Sequence, residues 1–511
     1  MESLYMNTDG CDSPIEGKVT GTIPSWLNGS LYRNGPGKFS IGDSSYKHWF
    51  DGLALLHCFR IKLGRVTYCS KFVKSETFKR NMAANRIVVH EFGTTAYPDP
   101  CKNIFQRMFA WFVPESLTDN TLVTVTPRQD FIYTATETNA LHKIDPLTLD
   151  TLEKVNISKL VAVNMATAHY HHDNDGTLHN IGVMFQGRPK TSIFKVPPPS
   201  DGKELFEGAE IVGSSYSRWP FHLCYMHSFG MSENYYVYVE QPLCLNVSNM
   251  VLSKFTQTSF CEWLQWYGNE KAAFRVMDKK TGQIVNPKMP YMAGAFFMFH
   301  HINTYEDNGF LVVDVCGYDN ADVVNDHYLK NLRTEVRDPI SAGKARRYNL
   351  PLNAKPQDEV GTSYMLENSL AKAEKKENSI LCQHEELCSE AIELPQINYK
   401  NYNGRKYRYA YGAGGDYLNQ LVKVDVKQKS CKVWKDGNLY TSEPVFVPTP
   451  GANREDDGVL LAVLYEVAEP SNKTHLLVLN AESMEEIGRV QFDVHVPRDI
   501  HGVFINDKPS D

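Results

Sequence analysis

The chain has 511 residues, 42% hydrophobic and 22% charged, with 53 Lys and Arg against 60 Asp and Glu for a net charge of −7. That balance is ordinary for a globular protein and argues against a nucleic-acid binder, which carries a basic balance or stripe. The 11 cysteines are odd in number and form no CxxC pair, which excludes a regular disulfide framework, and no run of eighteen apolar residues offers a membrane span.

Met1-Glu2-Ser3-Leu4-Tyr5 has neither a basic nor an apolar leader region, so the expected compartment is the cytosol. Residues 1–20 are polar and read as a loose segment. Asn28-Gly29 and Pro36-Gly37 then mark tight turns between short strands. From there one pattern recurs: an apolar strand ends at Asp or Asn, three to five polar residues follow, and a second apolar strand begins. Leu141–Asp145 leads to Leu149 and Leu152, Phe274–Asp278 leads through Thr281-Gly282 to Ile284, Leu421–Asp425 leads to Val433-Trp434, and Leu476–Asn480 leads to Ile487 and Val490. Ser192–Val196 begins in the same way. Antiparallel hairpins spread over the whole length, without an obvious linker, are best explained by blades around an axis; one or two β-sandwiches are the alternative.

Two stretches interrupt the pattern. Residues 98–115 hold Ile104, Phe105, Met108, Phe109, Trp111 and Phe112 as a broad apolar face flanked by Lys102 and Arg107. Residues 354–392 are charged and poor in aromatics and read as a surface insertion. Gly412-Ala413-Gly414-Gly415 lacks the Lys and Ser/Thr of a phosphate loop and reads as a turn.

Four histidines stand out from the 17: His169, His227, His300 and His501, separated by 58, 73 and 201 residues. They meet only if the fold keeps returning to one axis, and a metal is the usual reason for several imidazoles to converge. His169 follows the small residues Ala166 and Ala168, His300 closes the apolar run from Ala295 to Phe299, and His501 precedes Gly502, where a backbone can approach a crowded centre. His90, His179, His327, His384 and His475 look like strand-surface or loop residues. No HExxH or GxSxG motif is present, which removes the commonest zinc-protease and serine-hydrolase readings. Glu137, Glu393 and Glu443 sit in apolar or strand-like settings. They suit either partners of metal-bound imidazoles or surface acids at strand ends, and composition and spacing do not choose between the two.

Six stretches carry a resemblance: Tyr32-Arg33-Asn34-Gly35-Pro36, Phe50-Asp51-Gly52, Ala168-His169-Tyr170-His171, His227-Ser228-Phe229-Gly230, Phe299-His300-His301-Ile302-Asn303 and Ile500-His501-Gly502-Val503-Phe504. In order and spacing the chain resembles the carotenoid cleavage oxygenase family along nearly its whole length. Pro98-Asp99-Pro100-Cys101-Lys102 and Pro395-Gln396-Ile397-Asn398-Tyr399 are similar to its animal branch, which includes carotenoid oxygenases, insect isomerooxygenases and the retinoid isomerohydrolase. One departure is Tyr170, where many members carry Pro.

The resemblance implies an all-β, single-domain fold over residues 1–511. It implies a seven-bladed β-propeller with a helical and loop cap over the iron-bearing face. It implies one Fe(II) held by His169, His227, His300 and His501, with Glu137, Glu393 and Glu443 behind three of them and His171 and His301 as neighbours only. Thr136 is then expected at the open coordination position, and Phe92 and Tyr318 on the wall of a substrate tunnel. The implied reaction adds dioxygen across a carotenoid double bond, with trans-to-cis isomerisation as a further possibility; a retinyl-ester isomerohydrolase and a carotenoid-binding protein without turnover are the alternatives. Residues 98–115 are expected to dip into a membrane surface, with Cys101 as a candidate for acylation, which makes the protein cytoplasmic and peripherally membrane-associated. No protein partner is indicated.

Overall fold

The computed structural model describes residues 1–101, 117–185, 187–198, 206–246, 258–334, 341–437, 439–467 and 473–507. The membrane-dip residues Ile104, Phe105, Met108, Phe109, Trp111 and Phe112 lie outside them. Strand dominates and helices are short. Among the described residues there are seven sheets of four or more strands, with two smaller ones.

Most neighbouring strands are antiparallel hairpin partners. Ala140–Ile144 pairs Thr151–Asn156, Lys190–Val196 pairs Glu210–Tyr216, Gln420–Asp425 pairs Ser430–Trp434, and Thr474–Asn480 pairs Glu486–Phe492. Ala272–Asp278 meets Ile284 through a single bridge at Met277. The recurring Asp or Asn has a common physical role. Oδ1 of Asp145, Asp278, Asp425 and Asn480 accepts the backbone N–H groups two and three residues on. The N–H four residues on returns to its backbone carbonyl. That fourth residue is left-handed each time: Leu149 at φ 60°, Gly282 at 67°, Lys429 at 54° and Met484 at 66°. One Asx-type turn thus closes hairpins in four different sheets.

Central strands are buried on both faces. Every residue of Gly458–Tyr465 and of Phe310–Tyr318 is buried, so these stretches read as continuous apolar runs because both faces are covered. The chain ends meet: Gly29–Lys38 pairs the C-terminal strand His501–Asn506, with Asn34 opposite His501.

Three readings of the sequence need correction. Residues 1–20 are not loose. Cys11–Glu16 adds to Arg65–Phe72 in the first sheet, and Lys18–Gly21 adds to Glu486–Phe492 in the last. Residues 354–392 are not a surface insertion. Lys372–Lys375 and Ile380–Gln383 extend a seven-stranded sheet, and Glu385–Ala391 pairs Lys344–Pro351. Their charges alternate with buried Ala373 and Cys382, a strand period that charge content hides. Gly412 and Gly414 lie in the strand Tyr409–Gly414, close against the 391–393 backbone, and only Gly415 turns.

Helix Glu76–Ala84 starts where the Ser75 hydroxyl accepts the Phe78 N–H, and Asp119 accepts the Glu76 and Thr77 N–H groups from outside. These contacts satisfy the free donors of a first turn.

Candidate metal centre

His169 lies between the short strands Met165–Ala166 and His171–His172, and His227 in the turn before Gly230–Met231. His300 lies in Phe297–Asp307, where the pairing register shifts between Met298 and His301, and His501 opens His501–Asn506. Four different sheets therefore supply them. His227, His300 and His501 are buried and His169 is half-buried, and their facing nitrogens all lie within 4.8 Å of one another. Nε2 of His227 is 2.9 Å from that of His169 and 3.2 Å from that of His300, and His300 Nε2 is 3.3 Å from that of His501.

These contacts are not hydrogen bonds for the three rings with a carboxylate behind them. Nδ1 of His227 meets Glu137, Nδ1 of His300 lies 2.5 Å from Glu393, and Nδ1 of His501 lies 2.9 Å from Glu443. A ring that donates from Nδ1 presents a bare lone pair at Nε2. Lone pairs facing one another are stable only around a cation. Two nitrogens at right angles on a metal with bonds of about 2.1 Å are about 3.0 Å apart, so the residues present fit one metal ion. Burial pushes the His300 imidazole down to about 4 against the pull of Glu393, and burial with neighbouring His227 pushes His169 well below its ordinary value. His300 and His169 stay neutral, as metal ligands must. Burial alone would raise the Glu393 and Glu443 carboxyls, but His300 and His501 hold them below the usual carboxylate range.

His171 and His301 are neighbours of this cluster. Both nitrogens of His171 are engaged, by the Tyr399 hydroxyl and the Phe229 carbonyl, and Nδ1 of His301 meets Ser228. Tyr170 leaves His169 in place. His179 and His475, read as surface residues, are buried, and His90 and His327 line the cavity below; a polar residue on a covered strand face looks like any other in sequence. His384 is exposed as expected.

A cavity of about 670 Å³ opens against the cluster and is walled by His227, His300 and His501 together with Phe92, Tyr318 and Thr136. Arg80, Phe260, Val323 and Leu332 from four short helices also line it. The size is that of a site for a single organic ligand. Sequence reading missed four residues that build the centre. Tyr225 donates to Glu137, Gln396 donates to Glu443, and Arg33 pairs with Asp499 beside His501. Tyr225 and Asp499 each stand two positions before a histidine, a spacing that could have singled them out.

A family model, retinal pigment epithelial membrane protein (RPE65), matches residues 6–506. The chain belongs to this carotenoid oxygenase family. Among related family members, the mitochondrial carotenoid-cleaving dioxygenase of Macaca fascicularis is 43% identical over 96% of this chain and 92% of its own. The human β,β-carotene 15,15'-dioxygenase is 40% identical over 98% of this chain and 93% of its own. Cobalt-substituted Synechocystis apocarotenoid oxygenase shares the fold at a TM-score of 0.78 and 22% identity, covering 99% of this chain and 98% of that one. An apocarotenoid oxygenase/RPE65 chimera has a TM-score of 0.78 at 23% identity over the same shares. Among the described residues no helix is long and apolar enough to cross a membrane.

Proposed function

We propose that this chain is an Fe(II)-dependent dioxygenase that cleaves a carotenoid double bond to two carbonyl products of the retinal type. The observation that carries it is the convergence of four imidazole nitrogens on the wall of a cavity large enough for an organic substrate. The names of relatives at 40–43% identity supply the reaction class. His169, His227, His300 and His501 would hold the iron, and bound iron supplies the dioxygen chemistry, with one oxygen atom going to each half of the broken alkene. The protein's own part is placement. Glu137, Glu393 and Glu443 keep three rings in the tautomer that frees Nε2. Thr136 borders the cavity beside Glu137, and Phe92 and Tyr318 are the walls against which a rigid polyene would register one bond over the centre.

The seven larger sheets are read as the blades of one propeller domain spanning residues 1–511. Peripheral membrane contact from the cytosolic side belongs to the same proposal. Met82, Tyr97 and Leu117 are exposed large apolar residues, and Tyr97 and Leu117 also line the cavity. In sequence Tyr97 and Leu117 stand on either side of the apolar segment Ile104–Phe112, and Cys101 is an exposed free thiol open to acylation.

The test is product analysis of the iron-loaded chain with β-carotene in air and under argon. Aldehyde formed only in air supports the proposal, and the geometry of that aldehyde decides whether isomerisation is coupled. Retinol released from a retinyl ester, with no aldehyde in either gas, would replace it with an isomerohydrolase. Carotenoid bound and returned unchanged would leave a binding protein.

A further inference from the structure

The three carboxylates behind the metal centre are unequally loaded. Glu137 touches His227 and accepts one more bond, from the Tyr225 hydroxyl at 3.0 Å. Glu393, 2.5 Å from His300, also accepts the Leu394 N–H at 2.8 Å, with the Tyr318 hydroxyl beside it. Glu443 is farther from its ring, at 2.9 Å, and accepts the Gly502 N–H at 2.8 Å and the Gln396 amide at 3.0 Å. It alone of the three has a guanidinium against it. Arg33 Nη1 is 3.6 Å from Glu443 Oε2 and donates to the Glu443 backbone carbonyl at 3.0 Å. Among the described residues neither Glu137 nor Glu393 pairs with a lysine or arginine.

Arg33 is wholly buried and forks onto Asp499 at 2.7 and 2.6 Å. Such a fork fixes geometry as well as charge. A Cβ on Gly502 would sit 2.8 Å from Arg33 Nη1 and 2.7 Å from the Tyr32 carbonyl. The glycine after the ligand is therefore what lets the guanidinium slide under the His501 strand. A carboxylate that already accepts several donors and faces a cation is a poorer acceptor for the next N–H. The His501 ring is thus polarised least, and its Nε2 gives least electron density. The Glu443–His501 contact, at 2.9 Å, is longer than the Glu393–His300 contact, at 2.5 Å, in the same sense.

We propose that Arg33 is a positioning residue for the metal centre, acting through Glu443 to make His501 the weakest donor of the three glutamate-backed histidines. The proposal rests on reading the four histidines as a metal site. Its consequence is an asymmetric centre in which the His501 position yields before those of His227 and His300 when the coordination shell changes.

The experiment uses the full chain and Co(II) alone, titrated through its ligand-field absorption. Gln396→Leu takes one donor from Glu443 without touching the buried ion pair. Arg33→Met combined with Asp499→Asn removes the cation together with its counter-charge. The first variant is expected to bind Co(II) about threefold tighter and the second about tenfold, the latter at the lower edge of the effect of about 10–100-fold that such partners command. The absorption bands should shift in one direction through the series. Unchanged bands and affinity in Gln396→Leu overturn the proposal, as does weaker binding in both variants. A purely structural Arg33 would lower the melting temperature and leave the bands where they are. Should the double variant not fold, Gln396→Leu decides alone. Wild-type chain that takes up no Co(II) would bring down the metal-site reading itself.

Discussion

Glu393→Gln isolates what a single charge contributes to the metal centre. The wild-type Oε2 accepts both the His300 Nδ1–H and the Leu394 N–H. Glutamine has one acceptor oxygen, and placed at that position it keeps both bonds. Its amide NH₂ then takes the place of Oε1, on the side of Tyr318. Shape and bond count survive, so the loss is the charge. A hydrogen bond to a charged group contributes about 1.5–3 kcal/mol and a neutral one about 1 kcal/mol, a difference of roughly 1.4 kcal/mol, or about tenfold in an equilibrium constant. Glu393→Gln should bind iron about tenfold more weakly than wild type. Glu393→Leu, which has no acceptor at all, should fall by about 100-fold. Competition with a chelator under argon measures both. Wild-type affinity in the leucine variant would refute the reasoning, because it would mean that the His300 ring is oriented by packing alone.

His300→Ala should lose metal and activity together, because its Nε2 lies within 3.3 Å of two other ligand nitrogens; full metal content with full turnover would count against its role as a ligand. Asp278→Ala should cost about 1–2 kcal/mol in urea unfolding through two lost backbone bonds, while Asp278→Asn should cost far less, since Asn480 closes the equivalent turn with an amide oxygen. Asp119 titrates near 2: burial pushes it up, but Lys154 and the Thr77 N–H outweigh that. A lowered carboxyl stabilises above its ordinary value of 3.8, and that stabilisation is lost as pH falls toward 2. Asp119→Asn should therefore be less stable than wild type by about 2 kcal/mol at pH 7, and the gap should close as the pH is lowered from about 4 to about 2. A gap independent of pH would place the effect in packing.

Much of the site was legible because its chemistry needs particular residue types. A histidine closing an apolar run, or one followed by glycine, is conspicuous, and Glu393 and Glu443 were suspect because an acid beside apolar strand residues needs a partner. Hairpins were legible through their turns, since the Asp or Asn at the strand end is a required acceptor. What stayed hidden depended on neighbours far away in the chain. Lys372-Ala373-Glu374-Lys375 reads as a charged loop until its alternate residues are seen to face a sheet. Cys11–Glu16 has no apolar alternation because it is an outer strand, held by backbone pairing rather than by burial. Arg33 is the plainest case. An arginine in a turn-rich stretch gives no sign that Asp499, 466 positions later, waits for it.

The four-histidine cluster also explains why the chain needs so many sheets. His501, His169, His227 and His300 come from four of the seven larger sheets, and Glu137, Glu393 and Glu443 come from the other three. Each sheet thus delivers one residue, either a ligand or the carboxylate that turns a ligand's ring. No local segment does this, because a ligand and its carboxylate are 58 to 93 residues apart. His300 or His501 moved by one residue along its strand would point to the opposite face, so the register of those two sheets is part of the site. His501 and Asn34 sit opposite each other where the two ends of the chain pair. The last ligand is therefore set only when that pairing closes, and the full metal centre forms with the completed fold rather than with any one part of it.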